Sequence, residues 1–229
     1  MDTLKKKLEK LEKPELIAII THMLRQEPDL QWLLATPLPT ASSQKGSIDP
    51  ELYRQQVLAA MSAGGYQRKR KRHEVERRLA AIKAIADEFV QHQGYVAALT
   101  IYEVLVSEII EHFNDYQEEY VAFCVMLTGC INGLDSCFAG EEDNQQIRLR
   151  VLRTLFAIYR FYTDSGMDLD EDIPGLLIGN TTLEERQVIA DWVRDALAQA
   201  KDTKWSASSR EQGYTTFLLA LEEDEKYHE

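Results

Sequence analysis

Cysteine pairs, long apolar runs and β-type alternation are what this 229-residue chain has little of. A membrane helix asks for roughly 18 or more consecutive apolar residues, and the longest uninterrupted stretches, such as residues 120–127, fall well short. No membrane partner is therefore expected. The three cysteines, Cys124, Cys130 and Cys137, are odd in number and crowd one segment. A disulfide framework is not expected from that pattern, and a reducing, cytoplasmic location is. The lysine-studded residues 1–11 hold no continuous hydrophobic region of the kind a secretory signal needs. There is no Gly-x-Ser-x-Gly, no phosphate-binding glycine loop, no dinucleotide fingerprint and no His-Glu-x-x-His. No catalytic set is assembled, so the chain is expected not to be an enzyme and to need no metal or cofactor.

What is present is apolar periodicity of helical type. Leu79, Ile82, Ile85, Ala86 and Phe89 recur in steps of three and four, and so do Leu99, Tyr102, Val106, Ile109 and Phe113. Each set puts one apolar stripe on a helix. Between them stands Gln93-Gly94-Tyr95; Gly94 can take a left-handed backbone without a side-chain clash and so end the first helix. A connection this short makes the two helices an antiparallel hairpin.

The remainder reads the same way. Residues 1–34 form a small helical unit, with Pro14 in the first turn of a helix to Gln26 and Trp32 on its apolar face. Residues 35–48, rich in proline, serine and threonine, read as a flexible linker. Residues 49–229 form the main domain. Asp49 caps a helix with Pro50 at its first position, and Gly64-Gly65 stops it. The segment from about Asp115 to Gly140 is apolar almost all round, which implies burial. Glu141, Glu142 and Asp143 suit the positive end of the next helix, which runs to Gly166. Thr182 and Glu185 make a capping box for a further helix. The fold class is all-α.

Two resemblances follow from these residues. Gly94-Tyr95-Val96-Ala97-Ala98-Leu99 through Glu103 resembles the turn and second helix of a tetratricopeptide repeat, one residue shorter at the turn. That likeness implies stacked antiparallel hairpins, a solenoid or bundle with a protein-binding surface. The span from Tyr53-Arg54-Gln55-Gln56-Val57 to Phe138 also resembles the helical region that accompanies SWIM-type zinc fingers. The finger's own Cys-x-Cys and Cys-x-His are absent, so only a helical-repeat fold with a binding role is implied.

Spacing decides among the candidate sites. Cys130 and Cys137 lie about 10 Å apart along one helix face, too far to share a zinc with sulfur bonds of ~2.3 Å; buried small side chains are expected instead. Asp168, Asp170 and Asp172 begin like a calcium loop, but Ile173 and Gly179 stand where glycine and glutamate belong. Glu88 with His92, and Glu108 with His112, are four apart and miss the Glu-x-x-His spacing of di-iron bundles. Each pair is expected on the solvated face. The net charge of −12 hides one basic island: seven basic residues in 68–78 against Glu74 and Glu76.

The expected function is a non-catalytic protein-interaction module or adaptor that docks a partner helix or peptide. Its anchors would be Tyr66, Tyr95 and Tyr102, with Arg68, Lys69, Arg70, Lys71 and Arg72 for acidic contacts. The alternatives are a nucleic-acid-associated factor using residues 68–78 and an enzyme with an inter-helix pocket.

Overall fold

A computed structural model describes residues 6–26, 48–62, 72–141, 143–167, 171–201 and 207–227. Every element there is helical, and no strand occurs among the described residues. The chain divides into two units, Met1–Leu38 and Pro39–Glu229. The first holds α1 (Lys13–Gln26). Its Glu12 amide donates to the Glu15 carboxylate at 2.8 Å, half of a capping box. None of its residues is buried, and Ile17, Ile20 and Met23 stand open along one face. Trp32 and most of the expected linker lie outside the described residues.

The first described residue of the second unit, Ile48, is buried rather than part of a linker. The Glu51 amide donates to Asp49 Oδ1 at 3.0 Å and opens α2 (Pro50–Ser62). The Gly64-Gly65 stop lies outside the described residues. There follow α3 (Arg72–Gln91), α4 (Tyr95–His112) and a 3-10 segment, Phe113–Glu119. Next come α5 (Tyr120–Gly140), α6 (Gln145–Ser165), α7 (Ile173–Gly179), α8 (Leu183–Lys201) and α9 (Ala207–Tyr227).

The α3–α4 hairpin forms where the periodicity predicts it, with Leu79, Ile82, Phe89, Leu99 and Ile109 in the core. Its turn differs in detail. Gln93, not Gly94, takes the left-handed conformation, with φ 61°. Gly94 instead donates its N–H to Phe89 O at 2.8 Å. A methyl group there would crowd Phe89 Cδ1 at 3.0 Å, so the glycine is needed for close approach. The α5 helix starts at Tyr120 rather than Asp115, because the 3-10 turn intervenes. Asn144, not the acidic residues before it, caps α6 by accepting from the Ile147 amide at 3.3 Å. At its other end Gly166 takes φ 64° and stops it.

Packing runs from neighbour to neighbour. α2 packs on α3 and α4, α3 on α4 and α5, α4 on α5 and α6, and α5 on α6. Beyond that, α6 carries α7, α8 and α9. Tyr159 seats its ring against Tyr214 and Phe217, and the Tyr214 hydroxyl donates to Asp164 Oδ1 at 2.8 Å, which joins α6 to α9. One contact is sharply sized: Tyr95 and Tyr102 of α4 fill notches at Gly140 and Gly133 of α5, where a methyl group would overlap either ring. Two pairs, each two helical turns apart and running in opposite senses, fix the antiparallel register.

Candidate functional site

The expected tyrosine anchors do not form a rim. Tyr102 is fully buried, and its hydroxyl donates to Asp87 Oδ1 at 2.6 Å. Burial, and then the Asp87 carboxylate, push its pKa far up. The correction has a simple cause: α2, α3, α5 and α6 all pack against α4, and the stripe that carries Tyr102 lies among them. Tyr95 is half-buried against Gly140. Tyr66, Arg68, Lys69, Arg70 and Lys71 lie outside the described residues, as does the Arg72 side chain. Of the rest of the basic island, Arg77 and Arg78 both donate to Glu74, at 2.9 Å and 2.7 Å. Those two guanidiniums hold the Glu74 carboxyl below its ordinary range.

The second correction concerns Glu108. It is not on a solvated face: its side chain is 3% exposed. Arg54 reaches it from α2, Nε donating to Oε1 at 2.7 Å. His112 Nε2 lies 3.7 Å from Oε2, while His112 Nδ1 bonds Asp115 Oδ2 at 3.0 Å. Glu111 belongs to the same group; its carboxylate, that of Glu108 and the imidazole bring one donor atom each within 4.8 Å of one another. Glu88 and His92, by contrast, are both exposed as expected. Sequence periodicity could have marked Glu108 as the one charge on a stripe with Leu105 and Ile109, but nothing local announces Arg54, 54 residues earlier.

The cysteines sit as expected. Cys130 and Cys137 are buried free thiols, and Cys124 is half-buried. Burial pushes both buried thiols up to about 12. Since the thiolate is the nucleophile, a native chain treated with a maleimide near neutral pH should label at Cys124 alone. Labelling of Cys130 or Cys137 without denaturant would show that α5 opens. Asp168 and Asp170 lie outside the described residues, and Asp172 serves as N-cap of α7, accepting from the Gly175 amide at 2.9 Å.

Two surfaces remain. A cleft of about 440 Å³ is lined by Asp135, Phe138, Ala139, Arg148, Asn180 and Thr182. Arg148 stacks over the Phe138 ring at 3.8 Å and is held there by Glu185 and the Asn180 carbonyl. The other surface corrects a further expectation. The α5 helix is not buried all round: Tyr120, Val121 and Val125 are 42, 50 and 54% exposed. By length and composition it is also the one helix among the described residues that could cross a membrane, because its polar residues are few and mostly uncharged. More than half of that stretch is packed inside the unit. In comparisons with known proteins, no family model, no curated protein and no solved structure matches this chain.

Proposed function

We propose that the unit Pro39–Glu229 is a non-catalytic, tetratricopeptide-like module that docks an amphipathic helix of a partner protein on the outer face of α5. One observation carries this reading. Val121 and Val125 are four apart, half-exposed, and sit on a helix whose other faces supply the core. A short apolar strip beside a packed core is the usual footing for a helix laid into a groove. Supporting it, α2, α3 and α4 each pack on their next and next-but-one successors, the habit of a stacked superhelix. The polar flank of the partner is basic. The chain carries −12 overall, and exposed Glu111 and Asp115 stand just before Tyr120, whose ring meets Phe113 at 5.7 Å. Complementary charge of that kind sets orientation and speeds encounter.

The test is a panel of amphipathic helical peptides that share one apolar face and carry basic, neutral or acidic flanks. The basic-flanked peptide should bind the full chain in the micromolar range, and Val125→Glu should weaken it at least tenfold. Leu219→Glu, at an equally exposed apolar position on α9, should leave binding intact. Indifference to Val125→Glu overturns the proposal. So does Val125-dependent binding to anionic lipid vesicles without peptide binding, which would make the strip a membrane contact.

A further inference from the structure

We propose that Glu108, Glu111 and His112, at the C-terminal end of α4, form a binding site for a divalent transition metal of the zinc class. The three residues occupy positions i, i+3 and i+4 of one helix, which brings their side chains to one face. Their donor atoms lie within 4.8 Å of one another. His112 Nε2 and Glu108 Oε2, 3.7 Å apart, can both reach an ion at about 2.1 Å with a wide angle between them, as a tetrahedral centre needs. Exposed Glu111 closes the set by a rotamer change.

Three features separate this group from a chance gathering of surface carboxylates. The first is burial: Glu108 is 3% exposed, so one ligand is fixed by the core rather than free in water. The second is the imidazole. Asp115 Oδ2 lies 3.0 Å from His112 Nδ1; in the neutral tautomer that donates there, the lone pair is on Nε2, the nitrogen that faces Glu108. A carboxylate behind a histidine is how ligating imidazoles are commonly oriented and made more basic. The third is charge. Glu108, Glu111 and Asp115 gather around His112, with Glu51 beside Arg54 at 3.8 Å. Arg54, bound to Glu108 Oε1 at 2.7 Å, offsets only one of these four carboxylates. A second positive centre is what the remaining field attracts. One nitrogen and two oxygens suit zinc, cobalt or manganese better than calcium or magnesium, which prefer oxygen alone. Three protein ligands leave a fourth position open to water.

The test uses the full chain, stripped with a chelator and titrated with zinc by calorimetry near neutral pH. One equivalent should bind in the micromolar range. Glu111→Gln and His112→Gln should each weaken binding at least tenfold, and Asp115→Asn by a comparable factor through the imidazole. Glu111 is exposed, so its variant keeps the fold even where a change at Glu108 would not. Glu88→Gln with His92→Gln, the exposed pair at the C-terminal end of α3 and in the turn after it, should leave binding as it was. Cobalt substituted for zinc should give visible absorption without the thiolate charge-transfer band that cysteine ligation produces. No binding at millimolar zinc overturns the proposal, as does binding that survives both Glu111→Gln and His112→Gln, or a cobalt spectrum that reports sulfur.

Discussion

Replacing Gly133 with alanine is expected to destabilise the second unit by about 3 kcal/mol, a fall in melting temperature of roughly 6–12 °C at this chain length. The sign runs against helix propensity, since alanine in a helix interior is favoured over glycine by about 1 kcal/mol. What outweighs that gain is the ring on the other side. A methyl group at Gly133 overlaps Cζ, the hydroxyl oxygen and Cε1 of Tyr102. Tyr102 is fully buried and bonded to Asp87, and Asp87 also holds Lys83 at 2.9 Å. Moving the ring therefore costs overpacking strain of about 1–3 kcal/mol and a charge-assisted hydrogen bond worth about 1.5–3 kcal/mol.

Two controls sharpen the reading. Gly140→Ala meets Tyr95 in the same way, but Tyr95 is only half-buried and can swing outward, so its loss should be clearly smaller. Tyr102→Leu combined with Gly133→Ala should cost less than the two single changes together, because the shortened side chain makes room for the methyl group. Strict additivity would mean that Gly133 does not act through Tyr102, and the notch would lose its role in setting the α4–α5 register. Chemical denaturation followed by circular dichroism reads all four variants against the wild type.

How far the sequence discloses this arrangement depends on which physical question is asked. Where a local rule decides, the residues are legible. The Thr182–Glu185 capping box forms as drawn, the Thr182 amide giving 2.9 Å to Glu185 Oε2 and the Glu185 amide 3.3 Å to Thr182 Oγ1. The α3–α4 hairpin forms because its stripes have helical period and its turn is short. Where burial depends on distant neighbours, local rules go astray in both directions. Tyr102 reads as a surface anchor because aromatic residues on binding hairpins often are, yet four helices surround α4. Val121 and Val125 read as core because α5 is apolar all round, yet no described helix covers that side. Glu108 reads as solvated because charged residues usually are. Its burial became tolerable only when α2 brought Arg54 to it, a pairing that no i,i+4 rule contains. What spacing passed over is the burial at these sites, Glu108 by way of Arg54 and the open side of α5, because distant helices decide it.

Arg148 supplies the other large effect, and its test includes pH. Its guanidinium grips Glu185 with Nε at 2.7 Å and Nη2 at 2.9 Å, and the two side chains are 11% and 5% exposed. Removing one partner of a pair so deeply placed strands the other charge, typically at a cost of about 3–5 kcal/mol. Arg148→Met keeps the stacking on Phe138 but strands Glu185, so a loss in that range is expected near neutral pH. Burial by itself pushes the Glu185 carboxyl up; the Arg148 guanidinium and the Thr182 amide pull it down, and the net shift is below the ordinary carboxylate value. A carboxylate with a depressed folded pKa contributes stability that is present above its unfolded pKa and disappears as pH falls through the folded value. The wild-type advantage over Arg148→Met should therefore be largest near pH 7 and shrink as pH falls toward the depressed range of the wild-type carboxyl. The shrinkage starts above the ordinary carboxylate range, because burial without the guanidinium raises the Glu185 carboxyl of the variant, which then takes up a proton and no longer buries a charge. A gap that stays constant from pH 7 to about pH 4 would mean that the loss comes from packing on Phe138 rather than from the ion pair. Arg148→Met with Glu185→Leu, which removes both charges at similar volume, should recover most of the stability and lack only the Thr182 cap, worth about 1 kcal/mol.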